Sequence, residues 1–494
     1  MEGAGILSLS PLLPFLAAVL LPFLRLTGKN QKLLYSLVVV IGTFILSLYL
    51  AWRCQGQTLV LFWITENIPI LLRMDGVSVI YLVLASLLWI GTVIYSHEYI
   101  DSDQYENRYY AFLYAVLGSL MGIGLSGNIV TFYLFFELMA FMVFPLICHD
   151  GKEVSMKGAI IFIMYSIFGA ALVLIGIAML YGLGDLSTFQ AGGLGVQIVS
   201  GREGQIATAL LLMIFGFGCK AGMYPLQAWL PIAHPIAPAP ISAALSALVT
   251  KTGVLGIIRT VFYMVDLSFL KDTWIQYLWL TMALLTIFIG SCMAFREPLL
   301  KKRLAYSSVS QLSYILFGLA ILSPVGFTGA FMHFVYHAFA KLILFLCAGA
   351  IIHQTQLQYV GELKGIGKKM PVVMWCFTLS SLSLIGIPPM GGFFSKWHLI
   401  SAALRADIGI FSWLGPVVLL ISAFLTAGYL LPIIIAAFFP GDDFDYANNS
   451  KLDPGWKMTG PLTVLAGLAI LQGLFPKGFI SHIITIANEL MRGV

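Results

Sequence analysis

The stretch Lys220-Ala221-Gly222-Met223-Tyr224-Pro225 interrupts an apolar run, and a second stretch, Gly386-Ile387-Pro388-Pro389-Met390-Gly391-Gly392, interrupts another in the same manner. Each has a lysine nearby: Lys220 opens the first, and Lys396 follows the second. Proline has no N–H to give, so Pro225 leaves the carbonyl of Ala221 free, and Pro388 and Pro389 free those of Leu384 and Ile385. Inside hydrocarbon such oxygens need water or a cation.

Hydropathy around these breaks sets the class. Of 494 residues 60% are hydrophobic and 10% charged, against roughly 45–50% and about 25% in soluble domains. Apolar runs long enough to cross a core of roughly 30 Å recur from end to end, leaving no room for a soluble catalytic domain. Helices are expected at roughly 5–26, 31–53, 77–97, 108–126, 128–147, 157–182, 206–230, 239–265, 273–295, 302–322, 325–352, 370–404, 411–440 and 457–488. The first run lacks a basic leader and a cleavage site, so it reads as a retained helix. The broken helices are the seventh and twelfth. An odd offset of five makes them cross in opposite senses, the pattern of an inverted repeat. The expected fold is therefore an all-α polytopic membrane protein of about fourteen transmembrane helices. Its divisions are helices 1–3 (1–107), a five-helix repeat (108–265), a second inverted five-helix repeat (266–440) and a C-terminal helix (441–494).

With the amino terminus outside, the inner loops and helix ends receive Arg25, Lys29, Lys32, Arg108, Lys152, Lys157, Arg296, Lys301, Lys302, Arg303, Lys364, Lys368, Lys369, Lys451 and Lys457. The outer side receives only Arg53, Arg73, Arg202, Lys271, Arg405, Lys477 and Arg492. That asymmetry favours an external start in the cytoplasmic membrane. It also explains the formal charge of +5 without a nucleic-acid partner. The six cysteines stand singly, with no CxxC pair, so iron–sulfur, zinc and haem sites, and cofactors generally, are not expected.

Charge within the spans is where chemistry is to be sought. Glu137 is the acidic residue expected near mid-span; the basic ones are Lys220, Lys251, Arg259, Lys341 and Lys396. Each costs roughly 2.5–3.5 kcal/mol at a helix centre on insertion scales, a total too large for structure alone to require. His333, His337 and Lys341 are spaced four apart, which keeps them on one helix face. Imidazoles and buried lysines suit proton transfer, and a carboxylate such as Glu137 can tune Lys220 by its distance. Arg259 lies nearer a helix end and reads as a structural, snorkelling residue. His97, His149, His234, His353, His398 and His482 read as polar anchors. The glycines of Gly216 to Gly222 have no βαβ context and read as helix packing.

The segment Lys220 through His234, followed by Ala237-Pro238-Ala239-Pro240 and Lys251-Thr252-Gly253, resembles the antiporter-like subunits shared by respiratory complex I, Mrp-type sodium/proton antiporters and membrane-bound hydrogenases. Further matches are Asp75-Gly76-Val77-Ser78, Phe136-Glu137, Leu304-Ala305-Tyr306-Ser307-Ser308, His337-Ala338-Phe339-Ala340-Lys341 and the second break through Phe394-Ser395-Lys396. The resemblance implies that Glu137 and Lys220 form a modulating pair, that Lys251, His333, His337 and Lys341 form a central axis, and that Lys396 is the exit. It implies a subunit that translocates protons, either alone or against sodium, and carries no redox or hydrolytic centre. Such a subunit sits in lipid among other membrane subunits, antiporter-like paralogues among them. A self-sufficient secondary cation/proton antiporter is the alternative. The chain departs from the pattern at Gln227, Ile232 and Ser313, where histidine, aspartate and glycine are frequent.

Overall fold

The computed structural model describes residues 4–24, 26, 28–100, 105–193, 201–441 and 451–491; Arg25 and Arg492, used in the charge asymmetry above, lie outside the described residues. The chain begins with α1 (Ile6–Leu20) and α2 (Lys29–Arg53), then an antiparallel hairpin of β1 (Thr58–Thr65) and β2 (Ile68–Arg73). There follow α3 (Gly76–Tyr99), α4 (Glu106–Leu125), α5 (Ile129–Ile147), α6 (Glu153–Leu180), α7 (Glu203–Ala221), α8 (Trp229–Ile236), α9 (Ala239–Ala244) and α10 (Thr250–Tyr263). The rest comprises α11 (Trp274–Arg296), α12 (Leu300–Ala320), α13 (Pro324–Thr355), α14 (Ile366–Lys369), α15 (Pro371–Ile385), α16 (Gly391–Arg405), α17 (Phe411–Phe438), α18 (Trp456–Leu474) and α19 (Pro476–Leu490).

The protein is an all-α polytopic membrane protein, the hairpin apart. Twelve helices among the described residues are long and apolar enough to cross a membrane. Hydroxyl-rich α12 falls outside that criterion, and so does the pair α15–α16, each half being short. The hairpin between α2 and α3 is absent from the sequence expectation.

Both breaks are built alike. Gly222 (φ 77°) and Gly386 (φ 93°) end α7 and α15 in the left-handed region, where glycine alone escapes a Cβ penalty. The N–H groups of Met223 and Ile387 reach back to Gly218 O (2.8 Å) and Leu382 O (3.0 Å), closing the same C-terminal turn twice. The Tyr224–Pro225 and Pro388–Pro389 bonds are both cis. A third break divides the expected 457–488 helix into α18 and α19. Pro476 opens α19 after Phe475, whose φ of −123° and ψ of 57° are not helical. Gly473 allows this break to sit against the second, since a Cβ there would lie 2.2 Å from Pro389 O.

At the centre runs α13, 32 residues long, about 48 Å. Ser323 caps its start by accepting from Gly326 N, and Pro324 occupies the first turn. It is buried without interruption from Gly326 to Ile351. A helix apolar all round needs neighbours on every side. Helices α9, α12, α15, α16, α18 and α19 supply them.

Candidate functional site

Lys220 occupies the last turn of α7 before the break and is buried. Its ammonium donates to Ser166 Oγ of α6 at 2.9 Å and lies 4.3 Å from the centre of the Phe162 ring. A hydroxyl and a π face give a desolvated ammonium partial compensation. Nearby, Trp229 Nε1 donates to the Cys219 carbonyl at 2.9 Å, so α8 ties itself to the end of α7.

Glu137, on α5, is half-buried, and its Oε1 has no hydrogen-bond partner among the described residues. No ion pair joins it to Lys220 among the described residues, although their charges interact. The expected pair is therefore set apart in this conformation, with Phe136 close to Lys220 (5.7 Å to the ring centre).

Lys251 follows a single π turn, Leu245–Val249, between α9 and α10. Such turns expose carbonyls that a regular helix would use. Ser246 O accepts from both Thr250 Oγ1 (3.1 Å) and Lys251 Nζ (3.0 Å). The same ammonium lies 2.9 Å from His337 Nδ1. His337 and His333 stack with ring centres 5.9 Å apart, one helical turn along α13. Lys341, one turn further, donates to Leu304 O of α12 at 2.9 Å.

His333 lies between Ser395 Oγ (2.9 Å from Nδ1) and Gln311 Oε1 (3.1 Å from Nε2). Ser395 in turn donates to Gly392 O at 3.0 Å, so His333 Nδ1 donates to Ser395. When the ring is an imidazolium, Nε2–H finds the Gln311 oxygen. When it is neutral, the amide has only to turn over and donate instead. Gln311 thus accommodates both protonation states.

Lys396, beside Ser395, reaches back to the break. Its ammonium donates to Leu384 O (2.8 Å) and Ile385 O (2.9 Å), the two carbonyls freed by Pro388 and Pro389, and lies 5.1 Å from the ring centre of Tyr314. Tyr314 stacks on His333 at 5.4 Å. A polar path therefore runs from Lys251 through His337 and His333 to Ser395 and Lys396, with Lys341 on the same face of α13.

Sequence reasoning missed Ser166, Ser246, Gln311 and Ser395. One signal was available: Leu304, Ser308 and Gln311 fall at i, i+4 and i+7, one face of α12. Arg259 requires correction. It is wholly buried rather than snorkelling, pairs with Asp75, and donates to Ser78 Oγ at 3.0 Å. Asp75 caps α3 through Ser78 N at 2.9 Å. Burial alone would push its carboxyl up, but the charge and hydrogen bonds of Arg259, with those of Ser78, hold it below the usual carboxylate range. The pair fixes α10 against the start of α3 and stands apart from the relay.

Comparison with known proteins identifies the family and the fold. Residues 126–426 match the family described as NADH:quinone oxidoreductase/Mrp antiporter, transmembrane. The chain is 30% identical over 420 residues to NADH-quinone oxidoreductase subunit N of Desulforudis audaxviator, covering 82% of each protein. It is 28% identical to a Na(+)/H(+) antiporter subunit of Alkalihalophilus pseudofirmus over 97% of this chain and 96% of that one. Its fold is that of a chain in the Mrp complex from Dietzia (TM-score 0.87, 23% identity, 99% and 98% covered). It also matches a chain of respiratory complex I from Thermus thermophilus (TM-score 0.82, 20% identity, 98% and 99% covered).

Proposed function

The chain belongs to the NADH:quinone oxidoreductase/Mrp antiporter family of transmembrane subunits, and we propose on that basis that it translocates protons, alone or against sodium, within a larger redox-driven or Mrp-type membrane complex. The observation that carries this reading is the path from Lys251 through His337 and His333 to Lys396, made of buried titratable side chains one hydrogen bond or one helical turn apart. Buried ammonium groups without carboxylates beside them are costly. A path of groups that each take and release a proton turns that cost to use.

In this reading Glu137 and Lys220 govern loading, Lys251, His333, His337 and Lys341 conduct, and Lys396 releases. Separating Glu137 from Lys220 favours the neutral amine, and bringing them together favours the ammonium. The matching construction of the breaks at Gly222 and Gly386 supports an inverted pair of repeats, 108–265 and 266–440, flanked by 1–107 and 441–494. The basic side of the helix ends faces the cytoplasm, with the amino terminus outside the cytoplasmic membrane. The relatives' names support partner subunits, antiporter-like ones among them.

Affinity purification from native membranes, followed by flux measurement in liposomes, tests this. Co-purifying membrane subunits and ion movement only in their presence are expected. Full exchange by the isolated chain would instead establish a self-sufficient antiporter.

A further inference from the structure

Three hydroxyls from three helices meet in the second half of the chain: Ser291 of α11, Ser310 of α12 and Ser422 of α17, each 0% exposed. Ser291 Oγ lies 2.7 Å from Ser310 Oγ and 2.6 Å from Ser422 Oγ, and the last two are 3.2 Å apart. Gly290 brings α11 in this close, since a Cβ there would lie 2.8 Å from Ser310 N. Ser310 stands at the midpoint of α12 (Leu300–Ala320), about 15 Å from either end. None of the three serines belongs to the path from Lys251 to Lys396.

Interhelical hydroxyl contacts add little to the stability of a membrane bundle, and a pair would serve. Three hydroxyls set three hydrogens against six lone pairs. The hydrogens have other acceptors: Ser310 donates to Ile287 O at 3.1 Å, and a helical serine can turn to the carbonyl four residues back. With the hydrogens turned away, three oxygens converge on one point with lone pairs free. A cavity of about 370 Å³ reaches the backbone that carries this cluster. Its wall includes Gly290 and Val309, the immediate neighbours of Ser291 and Ser310, with Gln227, Thr286 and Lys302. Gln227 Oε1 is buried and has no hydrogen-bond partner among the described residues. Lys302 is paired with Glu297 at 2.9 Å, so the two add no net charge.

We propose that Ser291, Ser310 and Ser422 form a sodium site, reached through the cavity at Gln227. The proposal rests on the sodium-coupled form of the reading above and names where that ion binds. Hard cations take oxygen ligands, and divalent ones call for carboxylates. A set of uncharged hydroxyls suits a monovalent ion, and oxygens only 2.6–3.2 Å apart suit a small one. The three serine oxygens hold it on one side, and water from the cavity completes its shell. Tyr314 links the site to the relay. Its hydroxyl reaches Ser422 and donates to Leu419 O at 2.9 Å, and its ring centre lies 5.1 Å from the Lys396 ammonium. Sodium on the serines and a proton on Lys396 repel each other, so each is held best when the other has left. That exchange is what antiport requires.

The test titrates radiolabelled sodium against the purified, assembled complex in choline buffer, with proton movement followed in vesicles over a range of sodium concentrations. Saturable binding is expected. Ser310→Cys and Ser422→Cys keep the bulk and replace a hard oxygen ligand by a soft sulfur. They should weaken binding about tenfold or more and shift proton movement to correspondingly higher sodium. Lys396→Met removes the competing charge and should tighten binding about tenfold. Binding that is absent from the wild type, or unchanged in both serine variants, would overturn the site, and a stalled Lys251→Met would then leave the relay reading intact. Normal proton movement in Lys251→Met would instead overturn the relay reading. Should the serine variants fail to assemble, hydrogen exchange of the wild-type complex decides: sodium in place of choline should slow exchange in α11, α12 and α17 together, and no change there would overturn the site.

Discussion

The Lys251 ammonium and His337 Nδ1 face each other at 2.9 Å, a gap that holds one proton. With Lys251 charged, His337 accepts at Nδ1 and carries its own proton on Nε2. With Lys251 neutral, the imidazole donates back. Replacing Lys251 with methionine fills the space but removes the exchange. Proton movement by the assembled complex is expected to fall on the order of a hundredfold or more, measured as dye response in energised vesicles; an unchanged rate would remove Lys251 from the path.

Gln311 serves both states of His333, which predicts a graded effect. Gln311→Leu deletes one hydrogen bond to a group that is charged part of the time, a loss of about 1.5–3 kcal/mol in the charged state. Turnover should fall about tenfold or more while assembly is kept. Gln311→Glu, which keeps an acceptor but loses the donor, should favour the imidazolium and also slow release. Normal turnover in both variants would rule out this partner role.

At the exit, Lys396 holds the carbonyls that the prolines free. Lys396→Ala should block proton release while permitting uptake at Lys220. The same site constrains Gly386: at φ 93° any side chain is strained, and a Cβ would lie 3.0 Å from Lys396 Cδ. Gly386→Ala should therefore impair turnover through the displaced lysine. Steady-state proton flux in vesicles reads both, and full flux in Lys396→Ala would contradict the assignment.

Asp75 and Arg259 make a prediction about stability rather than transport. Removing one partner of a buried pair costs about 3–5 kcal/mol, so Asp75→Asn should lower the thermal midpoint of the detergent-solubilised protein clearly. Because the folded carboxyl is held below its usual range, the stabilisation is full above the unfolded value of about 4 and is lost as pH falls through the folded one. The gap in midpoint between wild type and variant should thus be constant near neutrality and close only under strong acid. A gap that is absent at pH 7 would deny the pair its role.

These residues also mark what the sequence could disclose. Lys396 and the carbonyls of Leu384 and Ile385 were legible because proline's missing N–H is local chemistry, fixed within twelve positions of the lysine that answers it. His333, His337 and Lys341 were legible because helical spacing alone puts them on one face. The partners were not. Asp75 lies 184 positions from Arg259, and distance from a helix end says nothing about which neighbour a side chain meets. The stack of the His234 ring on Phe345 of α13 was hidden for the same reason. The break at Pro476 was missed although a proline inside an apolar run marks one; its contact with the second break could not be read from the sequence.

Glu137 and Lys220 stand apart here, so their coupling must depend on charge across a distance rather than on contact. Glu137→Gln should impair proton movement strongly and Glu137→Asp less, since a carboxylate must persist to act on the lysine. Equal rates for glutamine and wild type, read in the same vesicles, would reject the coupling.

Lys220 itself gives the most direct test, because among the described residues its ammonium bonds a serine hydroxyl and packs on aromatic rings. Replacing it with alanine removes a proton carrier from a site that other residues already hold together. Proton translocation per assembled complex, measured in energised vesicles with subunit content quantified in the same sample, should be abolished in Lys220→Ala while assembly is largely kept. Normal translocation by an assembled Lys220→Ala complex would contradict the relay.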